Sequence, residues 1–216
     1  MYLKSMAVIL LFCVSLGQAQ VISGYGIKFG LVSSKLKAES DATSIPVFHP
    51  VWEDLNRRAG PQIGLFVDFF KIPALGLQAE VSYLEKGAED EILVSTPEQP
   101  EGTGETFTLD LFHHDFLAFS LLAQPRLKLG AVYPYAVIGP SLSLLIADRD
   151  GFLADTKSLT PSLVAGAGVE LLKPFAFPVF LEVRYNPDLD FFLDNKNAKF
   201  KFQLWQVLVG VNLRKS

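Results

Sequence analysis

Tyr133-Pro134-Tyr135-Ala136-Val137-Ile138-Gly139-Pro140-Ser141-Leu142-Ser143-Leu144-Leu145-Ile146-Ala147 separates into two sets when every second residue is taken. Ala136, Ile138, Pro140, Leu142, Leu144 and Ile146 are apolar, whereas Gly139, Ser141 and Ser143 lie between them. Successive side chains of a strand point to opposite faces, so a period of two marks a strand with two different environments. The division recurs along the chain. Tyr25, Ile27, Phe29 and Leu31 oppose Gly24, Gly26, Lys28 and Gly30; Ile63, Leu65, Val67 and Phe69 oppose Gln62, Gly64, Phe66 and Asp68. Leu77, Ala79, Val81 and Tyr83 oppose Gln78, Glu80 and Ser82, and Leu117, Phe119, Leu121, Ala123 and Leu127 oppose Ser120, Gln124, Arg126 and Lys128. Further on, Leu163–Leu171 alternates against Gly166, Gly168 and Glu170, and Val179–Tyr185 against Phe180, Glu182, Arg184 and Asn186. Last, Trp205–Leu213 alternates against Gln206, Gly210 and Asn212.

Eight strands result, each with one face almost free of charge. The connections alternate in length. Lys35–Gly60, Glu85–Phe107, Asp148–Pro161 and Asp188–Lys199 read as long polar loops, and Lys71–Gly76, Leu129–Val132 and Leu172–Pro178 as tight turns. The pattern predicts an all-β fold, an eight-stranded antiparallel up-and-down transmembrane β-barrel with long loops at one end. The even strand count puts both termini on the periplasmic side. Tyr25, Tyr83, Tyr133, Tyr135, Tyr185 and Trp205 near strand ends fit interfacial girdles. A soluble barrel of the lipocalin kind would alternate equally well, with its apolar side chains inside. The polar faces, sparse in charge and rich in Gly, Ser and Ala, suit a crowded interior better than a solvated surface. Pro125 and Pro140 fall on outward faces, and since each removes a ladder donor, a bulge or local break is expected at each.

Residues 1–19 read as a signal peptide: Lys4 precedes the apolar run Met6–Leu16, and Gly17-Gln18-Ala19 offers a small-residue cleavage site. Residues 20–216 then form the barrel domain. Beyond the signal, no apolar run approaches the ~18 residues of a transmembrane helix, so a spanning chain must close into a barrel. Cys13, the single cysteine, lies inside the apolar run behind Phe12 and lacks the small residue that a lipidation site wants before it. The mature chain has no disulfide, thiol nucleophile or thiolate metal site. Of the 216 residues, 50% are hydrophobic and 19% charged, with a net charge of -4. With a pI near 5.4, that balance argues against a nucleic-acid partner.

Tyr25-Gly26-Ile27-Lys28-Phe29-Gly30-Leu31 resembles the opening strand of the PorT-like outer-membrane β-barrel proteins of the Bacteroidetes type. Leu117-Ala118-Phe119-Ser120-Leu121-Leu122 with Arg126-Leu127-Lys128 is similar to that family's fourth strand, and Tyr133–Ser141 to its fifth. Two features depart from the pattern. Ser120 stands where the family places a proline, and Asn212-Leu213-Arg214-Lys215-Ser216 lacks the terminal aromatic of proteobacterial barrels. The resemblance implies an outer-membrane barrel and carries no catalytic motif.

The inward set includes Lys28, Asp68, Glu80, Arg126, Lys128, Glu170, Glu182 and Arg184, four acids and four bases. An eight-stranded bore is about filled by side chains, and an isolated buried charge is costly, so these groups are expected to pair into a plug. A gated ion path through rearranged pairs is the alternative. His113-His114-Asp115 is the one histidine cluster. Strand neighbours face opposite ways, so both histidines can hold one metal only on a loop; with a serine and an acid, either could serve lipid-acyl hydrolysis. Neither spacing singles itself out, and the pair reads as solvated rim residues. Glu85, Glu89, Asp90, Glu91, Glu98, Glu101 and Glu105 could bind divalent cations, or bridge through them to lipopolysaccharide, but such a run reads first as a solvated face. No catalytic residue, cofactor or metal is therefore expected. The expectation is a monomeric structural or interaction barrel in outer-membrane lipid, with a possible protein partner through its four loops. A narrow channel and a lipid-modifying enzyme are the alternatives.

Overall fold

The computed structural model describes residues 22–39, 55–72, 74–93, 106–149, 156–172, 177–194 and 199–213. The expected signal peptide, Cys13 included, lies outside them. The strands are β1 Ile22–Glu39, β2 Asn56–Ile72, β3 Leu75–Leu93, β4 Thr106–Pro125, β5 Val132–Asp148, β6 Leu159–Leu171, β7 Val179–Pro187, β8 Leu193–Asp194 and β9 Lys199–Asn212. Consecutive strands pair antiparallel from β1 to β7, β7 pairs with β9, and β9 returns to β1 from Gly26↔Asn212 to Glu39↔Lys199. The two residues of β8 also pair with β9, at Phe200 and Lys199, beyond the end of β7. They prolong β7, so the wall has eight strands and no free edge.

Burial follows the alternation. On outward faces Leu31 and Leu65 are 64% exposed and Ile138 51%, while the inward Lys28, Glu182 and Arg184 are at most 1% exposed. Charges inside and large aliphatic side chains outside invert the arrangement of a soluble barrel and match a wall that faces lipid.

The strands run further than the sequence reading allows. β1 continues to Glu39 and β2 starts at Asn56, inside the expected loop Lys35–Gly60; β3 reaches Leu93 and β4 starts at Thr106, inside the expected loop Glu85–Phe107. The physical reason is a change of surroundings. Above the apolar band the outer faces carry Lys37, Asn56, Arg57, Thr108 and Asp110, all exposed. Inside, Val32, Leu36, Leu84, Ala88, Phe112, Phe116, Phe200, Phe202 and Leu204 pack as an apolar core. In that upper half water lies outside, so the rule of a soluble barrel returns and polar residues mark wall, not loop.

The segment expected as the fourth loop is also partly ordered against the wall. Asp188 N–H donates to Phe202 O at 2.9 Å, Phe192 N–H donates to Phe200 O at 2.7 Å, and the Phe192 ring is buried in the upper core. At the other end, Gly130 turns β4 into β5 with φ +68°, a left-handed conformation that favours glycine, between the paired Leu129 and Val132. Pro125 ends β4. Opposite Pro140 the β4–β5 pairing lapses between Ser120↔Ser141 and Ala123↔Ile138 while the register is kept. The bulge on this ladder comes elsewhere, between Asp115 and Phe116.

Candidate functional site

The bore is crossed at mid-height by four charged side chains from β1, β3 and β7. Lys28 Nζ donates to Glu80 Oε2 at 2.8 Å and lies 3.3 Å from Glu182 Oε1. Arg184 grips Glu80 with two parallel bonds, Nη1 to Oε1 at 3.1 Å and Nη2 to Oε2 at 2.9 Å, and its Nε donates to Glu182 Oε2 at 2.7 Å. β3 and β7 stand four places apart around an eight-strand wall, so the Arg184–Glu80 pair spans the diameter. Bidentate guanidinium–carboxylate geometry is among the stronger forms of ion pair and fixes orientation as well as distance. Further bonds fill the remaining acceptors: Tyr135 Oη donates to Glu182 Oε1 at 2.6 Å, and Lys28 Nζ donates to Gln78 Oε1 at 2.5 Å. The ammonium also lies 5.2 Å from the centres of the Phe66 and Phe180 rings, which meet edge to face. Gly210 leaves room for Phe180, since a Cβ there would come within 2.0 Å of the ring.

Towards the tight-turn end lies a looser group. Arg126 stands 3.6 Å from Glu170 and 3.9 Å from Asp68, and Asp68 accepts from Gln78 Nε2 at 2.7 Å and from Asn212 Nδ2 at 3.3 Å. These residues line a small vestibule with Gln124, Tyr135 and Phe180. Lys128 does not join them, contrary to the sequence reading. β4 ends at Pro125, the chain leaves the ladder, and Lys128 is exposed. Seven of the eight expected residues thus fall into two neighbouring clusters.

A third layer sits towards the long-loop end, and the sequence reading misses it. Lys86 Nζ bonds Asp188 Oδ1 at 3.0 Å and Ser143 Oγ at 3.3 Å, and lies over the Phe116 ring at 4.6 Å. Both charged residues lie in stretches that the sequence presents as loop, Glu85–Phe107 and Asp188–Lys199. The available signal was Leu84-Glu85-Lys86-Gly87-Ala88, where alternation continues past Tyr83 with its polarity exchanged. The histidines are likewise in β4, not on a solvated rim. His114 points inward, 1% exposed, with Nδ1 3.2 Å from Asp148 Oδ1 and its ring 5.1 Å from that of Phe192. His113 lies on the opposite side of the strand, with Nε2 3.1 Å from Glu85 Oε2 and 3.9 Å from Asp115 Oδ1.

A closed antiparallel wall with an apolar outer band and charges within defines an outer-membrane β-barrel. The chain belongs to the family described as outer membrane protein beta-barrel domain, whose model matches residues 5–212. It resides in the bacterial outer membrane. No curated protein matches the chain by sequence. Among solved structures it is similar to the outer membrane protein OprG from Pseudomonas aeruginosa (11% identity, 90% of this chain and 98% of that one, TM-score 0.49). It is also similar to Neisserial surface protein A (13%, 89% and 99%, 0.48). A third likeness is to the outer membrane protease OmpT from Escherichia coli (10%, 90% and 97%, 0.44). No residue role is transferred from any of them.

Proposed function

We propose that this barrel is a non-enzymatic, non-conducting outer-membrane protein of the PorT-like kind, a monomer that works through its extracellular end. The observation that carries the reading is the Glu80–Arg184 pair across the bore, locked by Lys28 and Glu182. A solute or ion passing through would have to separate charges that are buried and mutually satisfied, which is costly. With the bore crossed by these pairs among the described residues, the loops and the upper rim are the surfaces left for a protein partner. The likeness of Tyr133–Ser141 to the PorT-like fifth strand supports the same reading, since that resemblance brings no catalytic motif.

The test is planar-bilayer conductance of the mature chain, folded in detergent and verified by a band that shifts on boiling. The folded chain is expected to give no steady current. Defined conductance steps that respond to Glu80→Gln would replace this reading with a narrow channel. Hydrolysis of added phospholipid, abolished in His113→Ala, would replace it with a lipid-modifying enzyme.

A further inference from the structure

We propose that Glu85, His113 and Asp115 form a divalent-cation site of the zinc class on the outer wall of the barrel, just above its apolar band. The three residues share one face of the β3–β4 ladder, where Glu85 pairs with Asp115 and Gly87 with His113. Their face continues downward through Tyr83 and Leu117 to the exposed Phe119 and Leu121, so the group stands at the level of the outer-leaflet headgroups. One donor atom from each residue lies within 4.8 Å of the other two. The separations from His113 Nε2 are 3.1 Å to Glu85 and 3.9 Å to Asp115, bracketing the ~3.3 Å edge of a tetrahedron with ~2.0–2.1 Å bonds.

A second observation points to a ligand. Asp115 is 6% exposed, and its Oδ1, on the side of His113, accepts no hydrogen bond among the described residues. Its other oxygen is held by Arg149, whose Nη2 donates to Oδ2 at 2.8 Å. A buried carboxylate oxygen without a donor is costly, and a cation in front of it removes that cost. The surroundings brace the donors, and a guanidinium, that of Arg58, stands where the cation would enter. Arg149 N–H donates to His113 O at 3.2 Å, and Tyr83 Oη donates to Glu85 Oε1 at 3.1 Å, leaving Oε2 towards the histidine. Arg58 must turn aside for the metal to enter: its Nη2 lies 3.3 Å from His113 Nδ1 and 3.4 Å from Nε2, and its Nη1 lies 3.5 Å from Glu85 Oε2, while Arg149 Nη2 stays 3.7 Å from Glu85 Oε1. Asp110, 3.3 Å from Arg58 Nε, keeps that guanidinium paired when it turns aside. One imidazole with two carboxylates favours zinc and its transition-metal neighbours over calcium or magnesium, which prefer all-oxygen shells. Water completes the coordination.

Zinc is titrated calorimetrically into the metal-free barrel folded in detergent, and cobalt(II) absorption is recorded on the same wild-type sample. The expected result is one zinc per chain, with cobalt giving the visible bands of a low-symmetry four-coordinate site. His113→Ala and Asp115→Asn should each weaken binding by at least the ~10–100-fold that loss of an outer-shell partner costs. Glu89→Gln, on the same strand but outside the triad, should bind as wild type. Absence of one-to-one binding, or equal affinity in His113→Ala, overturns the site. If both variants fail to fold, the wild-type cobalt spectrum decides: bands of an octahedral aquo ion alone overturn it.

Discussion

Glu80 accepts three of the bonds that cross the bore, two from Arg184 and one from Lys28. Its replacement by glutamine would keep the shape and remove the charge that both cations share. The prediction is that Glu80→Gln lowers stability by about 3–5 kcal/mol, the usual result of breaking a buried pair from one side. Urea unfolding from lipid vesicles, followed by tryptophan fluorescence, reads the loss. At this scale the sequence was informative about membership but not about pairing. Period-two reading puts Lys28, Glu80, Glu182 and Arg184 on inward faces, because a strand allows only two directions. It does not say that residue 80 meets residue 184, because β3 and β7 are never neighbours in the sheet. Their contact is a product of closure and of the β9–β1 register, neither of which leaves a local mark. Lys128 failed for the complementary reason: alternation holds only while the ladder does.

The elements were legible where lipid lies outside and misread where water does. From Leu75 to Tyr83 an apolar outer face announces β3, and from Glu85 onward the same strand turns acidic and reads as loop. Lys86 and Asp188, the ion pair of the upper half, were hidden by that exchange. Asp188 fastens the irregular stretch between β7 and β8 in two ways, through Lys86 Nζ and through an N–H from Phe202 at 3.1 Å. Asp188→Ala would leave the ammonium of Lys86 buried between Phe116 and Phe202 without its counter-charge. The expected outcome is that the stretch from Asp188 to Phe192 becomes sensitive to protease while the barrel still migrates as a heat-modifiable band. Limited proteolysis of the folded chain with mass analysis of the fragments checks this. Lys86→Met combined with Asp188→Leu should recover most of the protection, since replacing both partners of a buried pair by apolar groups is often neutral or better.

For the whole molecule, the decisive feature is the sign of the exposed face. Leu65 stands 64% exposed among Val81, Ile63 and Phe29, in the middle of the band. Leu65→Arg should cost about 2–4 kcal/mol in a lipid bilayer, the penalty for a cation at the midplane of a barrel's outer face. Thr108→Arg, exposed above the band, should be within about 0.5 kcal/mol of wild type. Reversible unfolding of both variants from vesicles measures the difference, and equal stabilities would mean that the two positions face the same solvent.

The strands that make this wall are unequal. β3 has 19 residues and β4 has 20, whereas β6 has 13 and β7 only nine. At ~3.3 Å per residue and a tilt of ~40°, β3 rises about 48 Å along the barrel axis and β7 about 23 Å. An apolar band is ~25 Å tall, so β3 and β4 stand some 20 Å above it, while β7 ends near its top and is continued along β9 by the irregular stretch from Asp188 to Asp194. Among the described residues the two flanks of the wall therefore end differently, one in a long continuous ladder and the other in a short ladder continued by an irregular hydrogen-bonded strip.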